Sequence, residues 1–479
     1  MNPSHTFPRS ARWPALLMPL AGAVVLSACA SPAPPATDRP GTPVPTAWTS
    51  APSTPTATSL ARWWRRFNDP QLTALVTQAL QVNTDVRSAQ AALQQSRALR
   101  DVTSAGLVPA MGASASARRG QSDGHDPINS FQVGFDASWE PDVFGGRRSA
   151  LNAAVADARA AEAGLAGVQV SIAAEVAATY IELRGLQARL DIARSNLAAQ
   201  RETLQISRWR AQAGLASSLD VEQAGTASEQ TSAQIPSLQT SAFQALSRLA
   251  VLTGQAPGTL QNALGAAAVP QAPGDLALAI PAETLRQRPD VRAAEHRISA
   301  ALARAAQADA ARYPGVQISG SLGLSALTLG SLSSGAPVAK ALLASLSVPL
   351  FDGGAARAQV RAQEAALEQA RMSYQATVLA ALKDVEDALV SLQGNRERLA
   401  RLQAAASAAA NADLLARQRH ASGLIDFRAV LETQRTLLAI QDSVESTRTS
   451  LGADHVRLYK ALGGGWTPAP ETAALMPAR

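Results

Sequence analysis

Residue types that usually carry catalysis are sparse and scattered in this chain. None of the five histidines pairs with another at the spacing of metal ligands. They are His5, His125, His296, His420 and His455. The only cysteine is Cys29, so no disulfide can form within the chain. We therefore expect a protein that is not an enzyme and that holds no metal or cofactor.

Two short motifs look like functional sites but have simpler interpretations. Glu386-Asp387 lies within a long helical pattern, where a solvated or lumen-facing acidic pair is expected. Gly463-Gly464-Gly465 follows a helical segment. We interpret these glycines as a helix C-cap and turn rather than as a phosphate-binding loop.

The sequence around Cys29 indicates lipidation. Two arginines precede an apolar stretch, residues 13–26, that is too short to span a bilayer as a helix. Leu26-Ser27-Ala28-Cys29 then resembles a bacterial lipobox, with cleavage before Cys29 and lipid on its thiol and new amine. Ala30 follows in place of the Asp that signals inner-membrane retention, which favours the outer membrane. The alternative is an ordinary signal peptide with a chance cysteine.

Composition and charge argue against several other classes of protein. The formal net charge is +6, but the basic residues are interleaved with acids and form no run with aromatic residues. Nucleic acid is therefore not an expected partner. Aromatic residues make up only 4% of the chain, and small residues are abundant, as is typical of long helices packed at close range. A mean hydropathy near zero argues against a bundle of membrane helices.

The chain contains a tandem duplication with a spacing of about 205 to 209 residues. Asn83-Thr84-Asp85-Val86-Arg87 matches Arg288-Pro289-Asp290-Val291-Arg292, and Gly214-Leu215 matches Gly423-Leu424. Each half has one plan: a helical segment, two segments of alternating polarity, a long helical stretch, a turn and a returning helix.

The alternating segments predict membrane strands. Residues 131–140 place Phe, Val, Phe, Ala and Trp on one face and Gln, Gly, Asp, Ser and Glu on the other. Each segment has about the length of a tilted strand that crosses an outer membrane, and an apolar outside with a polar inside is typical of a water-filled barrel. The alternative is a soluble four-stranded sheet with one solvent-exposed face. Four membrane strands cannot close a barrel alone, so the pattern also predicts an oligomer.

The helical stretches match in length. Residues 146–213 and 354–421 are each predicted as one helix of about 100 Å. Two shorter helices in each half add up to about the same length and could lie end to end beside the long one. A helical cylinder below the barrel follows from this arrangement, and a helical lipoprotein without a pore is the alternative.

Several segments of the chain resemble those of a known family. Residues 63–72 are similar to the N-terminal signature of outer-membrane efflux lipoproteins of the NodT and OprM type, relatives of TolC. Arg288-Pro289-Asp290-Val291 resembles the motif that opens the family's second repeat. Residues 213–221 and 423–427 resemble its two periplasmic hairpin tips.

The resemblance implies a mixed α/β membrane protein that assembles as a trimer. Each chain would give four strands to a 12-stranded outer-membrane β-barrel, which continues into a periplasmic α-helical barrel with an equatorial domain. The implied function is the passive exit duct for drugs or other small toxic compounds in a tripartite efflux system. Its partners would be a periplasmic adaptor and an inner-membrane pump of the resistance-nodulation-division class.

The resemblance also assigns roles at the tips. The adaptor would dock at Gly214, Leu215, Gly423 and Leu424, although these glycines also suit helix C-caps. Acidic residues above the tips would form a cation-favouring gate. The gate candidates are Asp220 and Glu432, taken as matching positions, together with His420, which we expect to pair with Asp220 and to hold more tightly when charged.

These interpretations divide the chain into six parts. We expect a signal peptide at 1–28, an extended tether with no packed core at 29–60, a linker at 255–280 and a tail at 467–479. The first repeat, 61–254, has strands near 109–119 and 131–143 and a tip at 214–220. The second repeat, 281–466, has strands near 314–327 and 338–351 and a tip at 423–432. The competing functions are an envelope-bracing lipoprotein without a pore and, among channels, a type I secretion or metal-efflux duct.

Overall fold

The computed structural model describes residues 44–45, 47–48, 60–121, 126–261, 263–273 and 281–466. Cys29, the predicted signal peptide, most of the tether and the tail at 467–479 lie outside the described residues. The chain divides into two compact units. The sheet unit contains residues 103–152 and 302–364, and the helical unit contains the other described residues.

The order of elements repeats between the two halves of the chain. The first half contains α1 (Pro70–Val82), α2 (Thr84–Ala105), β1 (Ala110–Gly120), β2 (Ile128–Trp139), α3 (Gly146–Gln212) and α4 (Ser218–Leu252). The second contains α5 (Pro281–Gln287), α6 (Pro289–Ala310), β3 (Gly315–Ala326), β4 (Val338–Ser347), α7 (Ala355–Ala421) and α8 (Phe427–Ala461). Short 3-10 helices lie at Trp63–Phe67 and Gly330–Leu332.

The four strands form one antiparallel sheet in the order β1-β2-β3-β4. The β2–β3 pairing joins the two halves of the chain, with Gly134 opposite Gly323. A Cβ atom on Gly134 would lie 2.8 Å from the carbonyl oxygen of Leu322, so only glycine allows this close approach of the two backbones.

Two strands end earlier than the sequence pattern suggested. Strand β2 ends at Trp139 rather than near residue 143, and β4 ends at Ser347 rather than near residue 351. Pro141 and Pro349 follow these ends. Because proline has no N–H to donate to the ladder, pairing stops before it.

The two long helices have the same length and the same kind of start. Helices α3 and α7 contain 67 residues each. The Asp142 carboxylate accepts from the N–H groups of Arg147 and Arg148 in the first turn of α3, and the Asp352 carboxylate accepts from those of Gly354, just before α7, and Ala356. Among the described helices, only α3 includes a stretch apolar and long enough to cross a membrane, and more than half of that stretch is buried, as in a core helix.

Two equivalent contacts, one in each half, show the duplication in three dimensions. The Asn83 side chain donates to the carbonyl of Leu252, the last residue of α4, at 3.0 Å. Arg288 donates to the carbonyl of Ala461, the last residue of α8, at 2.9 Å. Each residue also lies at a break between two helices, α1–α2 or α5–α6, where the sequence pattern predicted one continuous helix. The side chain that precedes α2 thus caps the end of α4, and the side chain that precedes α6 caps the end of α8.

The largest core of the helical unit is aromatic. We define the aromatic core as Trp63, Trp64, Phe67, Tyr180 and Tyr459 with the apolar residues packed on them. The rings of Trp63 and Tyr459 stack at 5.1 Å. The Tyr180 hydroxyl donates to Asp69 at 2.9 Å, and burial raises the pKa of Tyr180 to about 12.

Helices also approach closely at small residues, as the composition indicated. A Cβ on Gly185 of α3 would lie 2.0 Å from the hydroxyl oxygen of Thr449 of α8. A Cβ on Gly452 would lie 3.0 Å from Ile181. Glycine at these two positions therefore makes room for the Thr449 and Ile181 side chains between α3 and α8.

Trp48, which lies within the predicted tether, is packed against helices. This side chain is only 8% exposed and packs in a cluster with residues of α7 and α8, including Leu389 and Leu458. Val44 packs against a second cluster that contains Val291 and Val378. The expectation of no packed core in 29–60 is therefore wrong at these two positions, because large apolar side chains find apolar helix faces.

Candidate channel surfaces and helix tips

The sheet has one apolar and one polar face. Register places Ala113, Phe135, Leu322 and Lys340 in one row across all four strands, and Lys340 and Arg119 are the charged exceptions on this face. The face stays largely uncovered within the chain: Phe135 is 60% exposed. The apolar residues of the face are, from β1 to β4, Met111, Ala113, Ala115 and Ala117; Phe131, Val133, Phe135, Ala137 and Trp139; Val316, Ile318, Leu322, Leu324 and Ala326; Val338, Leu342, Ala344 and Leu346.

The opposite face carries mostly serine, glutamine, aspartate and glycine, with Arg118, Ile128 and Leu343 among the exceptions. Ser114 donates to Asp136 across β1 and β2 at 2.6 Å. Strands β1 and β4 are the two edges of the sheet. The predicted alternation is therefore present, with an apolar face that has no cover in the described chain and two edges whose backbone groups lack a neighbouring strand.

The two hairpin tips have the same backbone geometry. Gly214 and Gly423 have φ values of 73° and 72°, in the left-handed region that favours glycine. The Gly214 and Leu215 N–H groups donate to the carbonyls of Ala211 and Arg210, and the Gly423 and Leu424 N–H groups repeat this pattern. These are Schellman motifs, so the glycines do serve as C-caps. Leu215 and Leu424 are 69% and 73% exposed.

Asp220 is occupied by the cap of its own helix. The Ser217 side chain accepts from the Asp220 N–H, and the Asp220 carboxylate accepts from the Ser217 N–H at 3.0 Å. This is a capping box, which fixes the start of α4. At the second tip, Asp426 caps α8 by accepting from the Arg428 N–H at 2.9 Å.

The assumed match between Asp220 and Glu432 is wrong in register. Ser217 and Asp426 are the equivalent N-caps, and Asp220 lies three residues after its cap whereas Glu432 lies six after. The two acids are therefore offset by about one helical turn. Glu432 is exposed and takes no part in the cap.

The structure pairs His420 with Arg210 rather than with Asp220. Arg210 Nη1 lies 3.3 Å from His420 Nε2, and the His420 ring packs against Phe427 at 5.3 Å between centroids. Burial and then the charge of Arg210 lower the pKa of His420, while Asp220 and Asp426 oppose the shift. The neutral imidazole suits this contact. Protonation therefore weakens it, which reverses the pH dependence expected from an aspartate partner.

A small apolar cluster holds the four helices together near the tips. We define the tip cluster as Leu204, Ala224, Ala416, Phe427 and Val430, one or two residues from each helix. Arg210 was missed by sequence reasoning. The signal was available, since Arg210 and His420 lie four and three residues before the matched tip glycines.

The remaining motifs are structural. Gly463 has a φ of 73°, and the Gly463 and Gly464 N–H groups cap α8 in another Schellman motif, as predicted. Asp387 pairs with Lys383 on the surface of α7. Within the described ranges, no three His, Cys, Asp or Glu side chains are grouped to hold a metal ion.

Comparison with known proteins assigns the chain to a family. The model of the outer membrane efflux protein family matches residues 75–255 and again 280–464. The chain belongs to the outer membrane efflux protein family. The repeated match agrees with the tandem duplication.

Individual members of this family are similar along most of their length. The pyoverdine export outer membrane protein OpmQ of Pseudomonas aeruginosa is 32% identical over 436 residues, which cover 86% of this chain and 88% of the relative. Outer membrane protein OprJ of the same species is 30% identical over 461 residues, 93% of this chain and 94% of the relative.

Solved structures of outer-membrane channels have the same fold. The outer-membrane channel OprN superposes with a TM-score of 0.83 at 36% identity, covering 90% of this chain and 99% of that one. The open state of the Neisseria gonorrhoeae MtrE outer membrane channel gives 0.80 at 26% identity, covering 90% and 97%. The predicted family, the fold of strands and long helices, the outer-membrane location and the efflux function are confirmed.

Proposed function

We propose that this efflux protein is the exit channel of a tripartite system and that three copies close one barrel. Four strands per chain give twelve in a trimer. The strands are 10 to 12 residues long, enough to cross an outer membrane when tilted. The observation that carries the proposal is the sheet itself, because its open edges and exposed apolar face are tolerated in lipid only if neighbouring copies pair with β1 and β4.

In this arrangement the polar face of the sheet lines a water-filled lumen and the long helices form the periplasmic tunnel. Lipid on Cys29 anchors each chain, after cleavage of residues 1–28. The described part of the linker, residues 255–261 and 263–273, contributes to an equatorial domain around the helices.

The subunit count tests this assembly. The mass of the detergent-solubilised mature protein, corrected for bound detergent by light scattering or native mass spectrometry, should equal three chains. A stable monomer at the same concentration would overturn the barrel and favour an envelope-bracing lipoprotein. Loss of the lipid mass in Cys29→Ser, with the trimer retained, is the expected result for the anchor.

The helix tips are the proposed docking position for a periplasmic adaptor, which links the channel to an inner-membrane pump of the resistance-nodulation-division class. Leu215 and Leu424 are exposed on turns that the Schellman motifs hold rigid. Exposed apolar side chains on a rigid turn are suited to a helical hairpin partner.

A photo-crosslinking amino acid at position 215 or 424 tests the docking in cells. The expected adduct contains an adaptor protein, identified by mass spectrometry. Position 327, which is 65% exposed in the sheet unit, is the matched control and should give no such adduct. The same yield at all three positions would contradict docking at the tips.

The gate is proposed at the level of Arg210, His420, Asp220 and Glu432. The contact between Arg210 and His420 joins α3 to α7 beside the tip cluster, so its loss should make the tips easier to separate. Glu432 remains exposed and supplies a carboxylate, one per chain, that would favour cations at a constriction.

The cargo is proposed to be small organic compounds. Relatives are named for pyoverdine export and for toluene and solvent efflux, and those substrates belong to the relatives. Nothing specific in this chain favours protein secretion or metal export over small organic molecules.

A further inference from the structure

A layer of buried polar side chains lies next to the tip cluster. Gln200 of α3, Asp413 of α7 and Gln434 of α8 are only 6%, 2% and 6% exposed. The Oε1 atoms of both glutamines and Oδ1 of Asp413 accept no hydrogen bond from the part of the chain that the structure describes. Buried acceptors without a donor weaken the packing around them.

Each member of this polar layer is one helical turn from a member of the tip cluster. Gln200 precedes Leu204 by four residues, and Gln434 follows Val430 by four. Asp413 precedes Ala416 by three residues. Residues three or four apart share a helix face, so the polar layer faces the same interior as the tip cluster.

The polar layer makes few bonds between the two hairpins, α3–α4 and α7–α8. Gln434 Nε2 donates to Thr203 Oγ1 at 3.1 Å. The second oxygen of Asp413 pairs with Arg417, four residues along the same helix, whose side chain is half exposed. That ion pair therefore holds α7 to itself and not to its neighbours.

Other polar contacts between the hairpins at this end flank the layer, and Arg435 also donates to Gln230 at 3.5 Å. Asn196 donates to Gln441 at 2.9 Å, further from the tips than the polar layer. Arg210 contacts His420 at 3.3 Å on the tip side. Apart from the tip cluster and the partly buried Val221, Ile425 and Leu431 packed on it, this seam thus depends on hydrogen bonds that water can replace.

The duplication identifies the unusual member of the layer. When Gly214 is aligned with Gly423, Leu204 corresponds to Asp413. Both side chains are buried. One repeat therefore fills this position with an apolar side chain that joins the tip cluster, whereas the other places a carboxylate there.

We propose that this polar layer, which includes Asp413, is a weak seam that sets how readily the tip of the α7–α8 hairpin separates from the α3–α4 hairpin. The proposal rests on the channel function above, in which the tips open. Asp413 acts as a positioning residue: it touches no cargo and lowers the free energy needed to part the helices.

Hydrogen exchange of backbone amides tests the seam on the full-length protein. In Asp413→Leu, which copies the residue of the first repeat, amides of α3 and α7 near the tips should exchange roughly tenfold or more slowly, because an unsatisfied buried acceptor is removed. Gln434→Leu should slow the same amides. Leu204→Asp, the reverse exchange, should accelerate them.

The control is Gln418→Leu, on the exposed side of α7 near the same tip, which should leave the exchange unchanged. Faster exchange in both Asp413→Leu and Gln434→Leu would overturn the proposal and show that the layer stabilises the closed tips. Single-channel recording provides the second readout, where Asp413→Leu should lower the open probability. Failure of the channel function would silence every variant but leave the pattern of exchange rates, so the two failures are distinguishable.

Discussion

The helical unit is packed very differently at its aromatic core and at its tip cluster. The aromatic core combines stacked rings with glycines of α3 and α8 that lie against side chains of the facing helix. The tip cluster contains only five buried apolar residues and is bordered by polar contacts. Stability of packed regions scales with the apolar surface they bury. The same helices can therefore be held together at one level along their length and be free to separate at another.

The largest expected effect lies in the aromatic core. Trp63→Ala should lower the free energy of unfolding by about 3–5 kcal/mol, because a fully buried ring is removed and its cavity remains. Chemical denaturation of the purified protein measures the change. Val430→Ala in the tip cluster is the comparison variant, and a global loss from Val430→Ala as large as from Trp63→Ala would contradict the difference between the two regions.

The next effect concerns Arg288, near the start of α6. Its guanidinium contacts Asp290 at 2.6 Å, Asp384 at 3.2 Å and the Ala461 carbonyl. Arg288→Ala should destabilise the protein by about 2 kcal/mol, since charge-assisted hydrogen bonds are lost but both acids remain partly solvated. Thermal unfolding measures this loss.

A fall in pH should reproduce part of the stability loss expected for Arg288→Ala. Burial opposes ionisation of Asp290, but the hydrogen bond and charge of Arg288 hold its pKa below the ordinary value. Stability from this pair is therefore present above the usual carboxyl pKa and is lost as pH falls through the lowered one. Equal acid sensitivity in wild type and Arg288→Ala would contradict the role of the pair.

A smaller effect is expected at the tip turn. Gly423→Ala should cost about 1–2 kcal/mol locally, because an L-residue is strained at a φ of 72°. Faster hydrogen exchange around residues 419–427, with little change in global unfolding, is the expected observation. Gly225→Ala is the matched control. Its Cβ meets open space inside α4, so helix propensity should make it neutral or stabilising.

The smallest effect is the pH dependence of the tips. The pKa of His420 is lowered in the fold, so its contribution is complete above about 6.5 and is lost as pH falls. Open probability should therefore rise on acidification, as a protonated imidazole faces Arg210. His420→Gln should flatten that rise, and an unchanged pH profile in this variant would remove His420 from the gate.

Local patterns predicted the elements well because their causes are local. Alternation along residues 131–140, the glycines at 214 and 423 and the duplication all reappear in the structure. A strand period or a C-cap needs few neighbours, so the residues themselves carry the information.

Partners across helices were harder to predict. Asp220 caps its own helix, and His420 contacts Arg210 on α3. Trp48 packs on α7 and α8 although its surroundings in sequence are rich in proline. These contacts depend on which helices are neighbours in the fold. A single sequence does not specify that arrangement before the helices are packed.

Single-channel conductance tests the central claim most directly. Purified full-length wild type and the double variant Arg210→Ala/His420→Ala would be recorded in a planar lipid bilayer at neutral pH. A trimeric channel closed at its tips should give small, uniform, cation-selective steps, and the double variant should give larger uniform steps. Silence from both proteins, each shown to be trimeric in the same preparation, would contradict a pore gated at the helix tips.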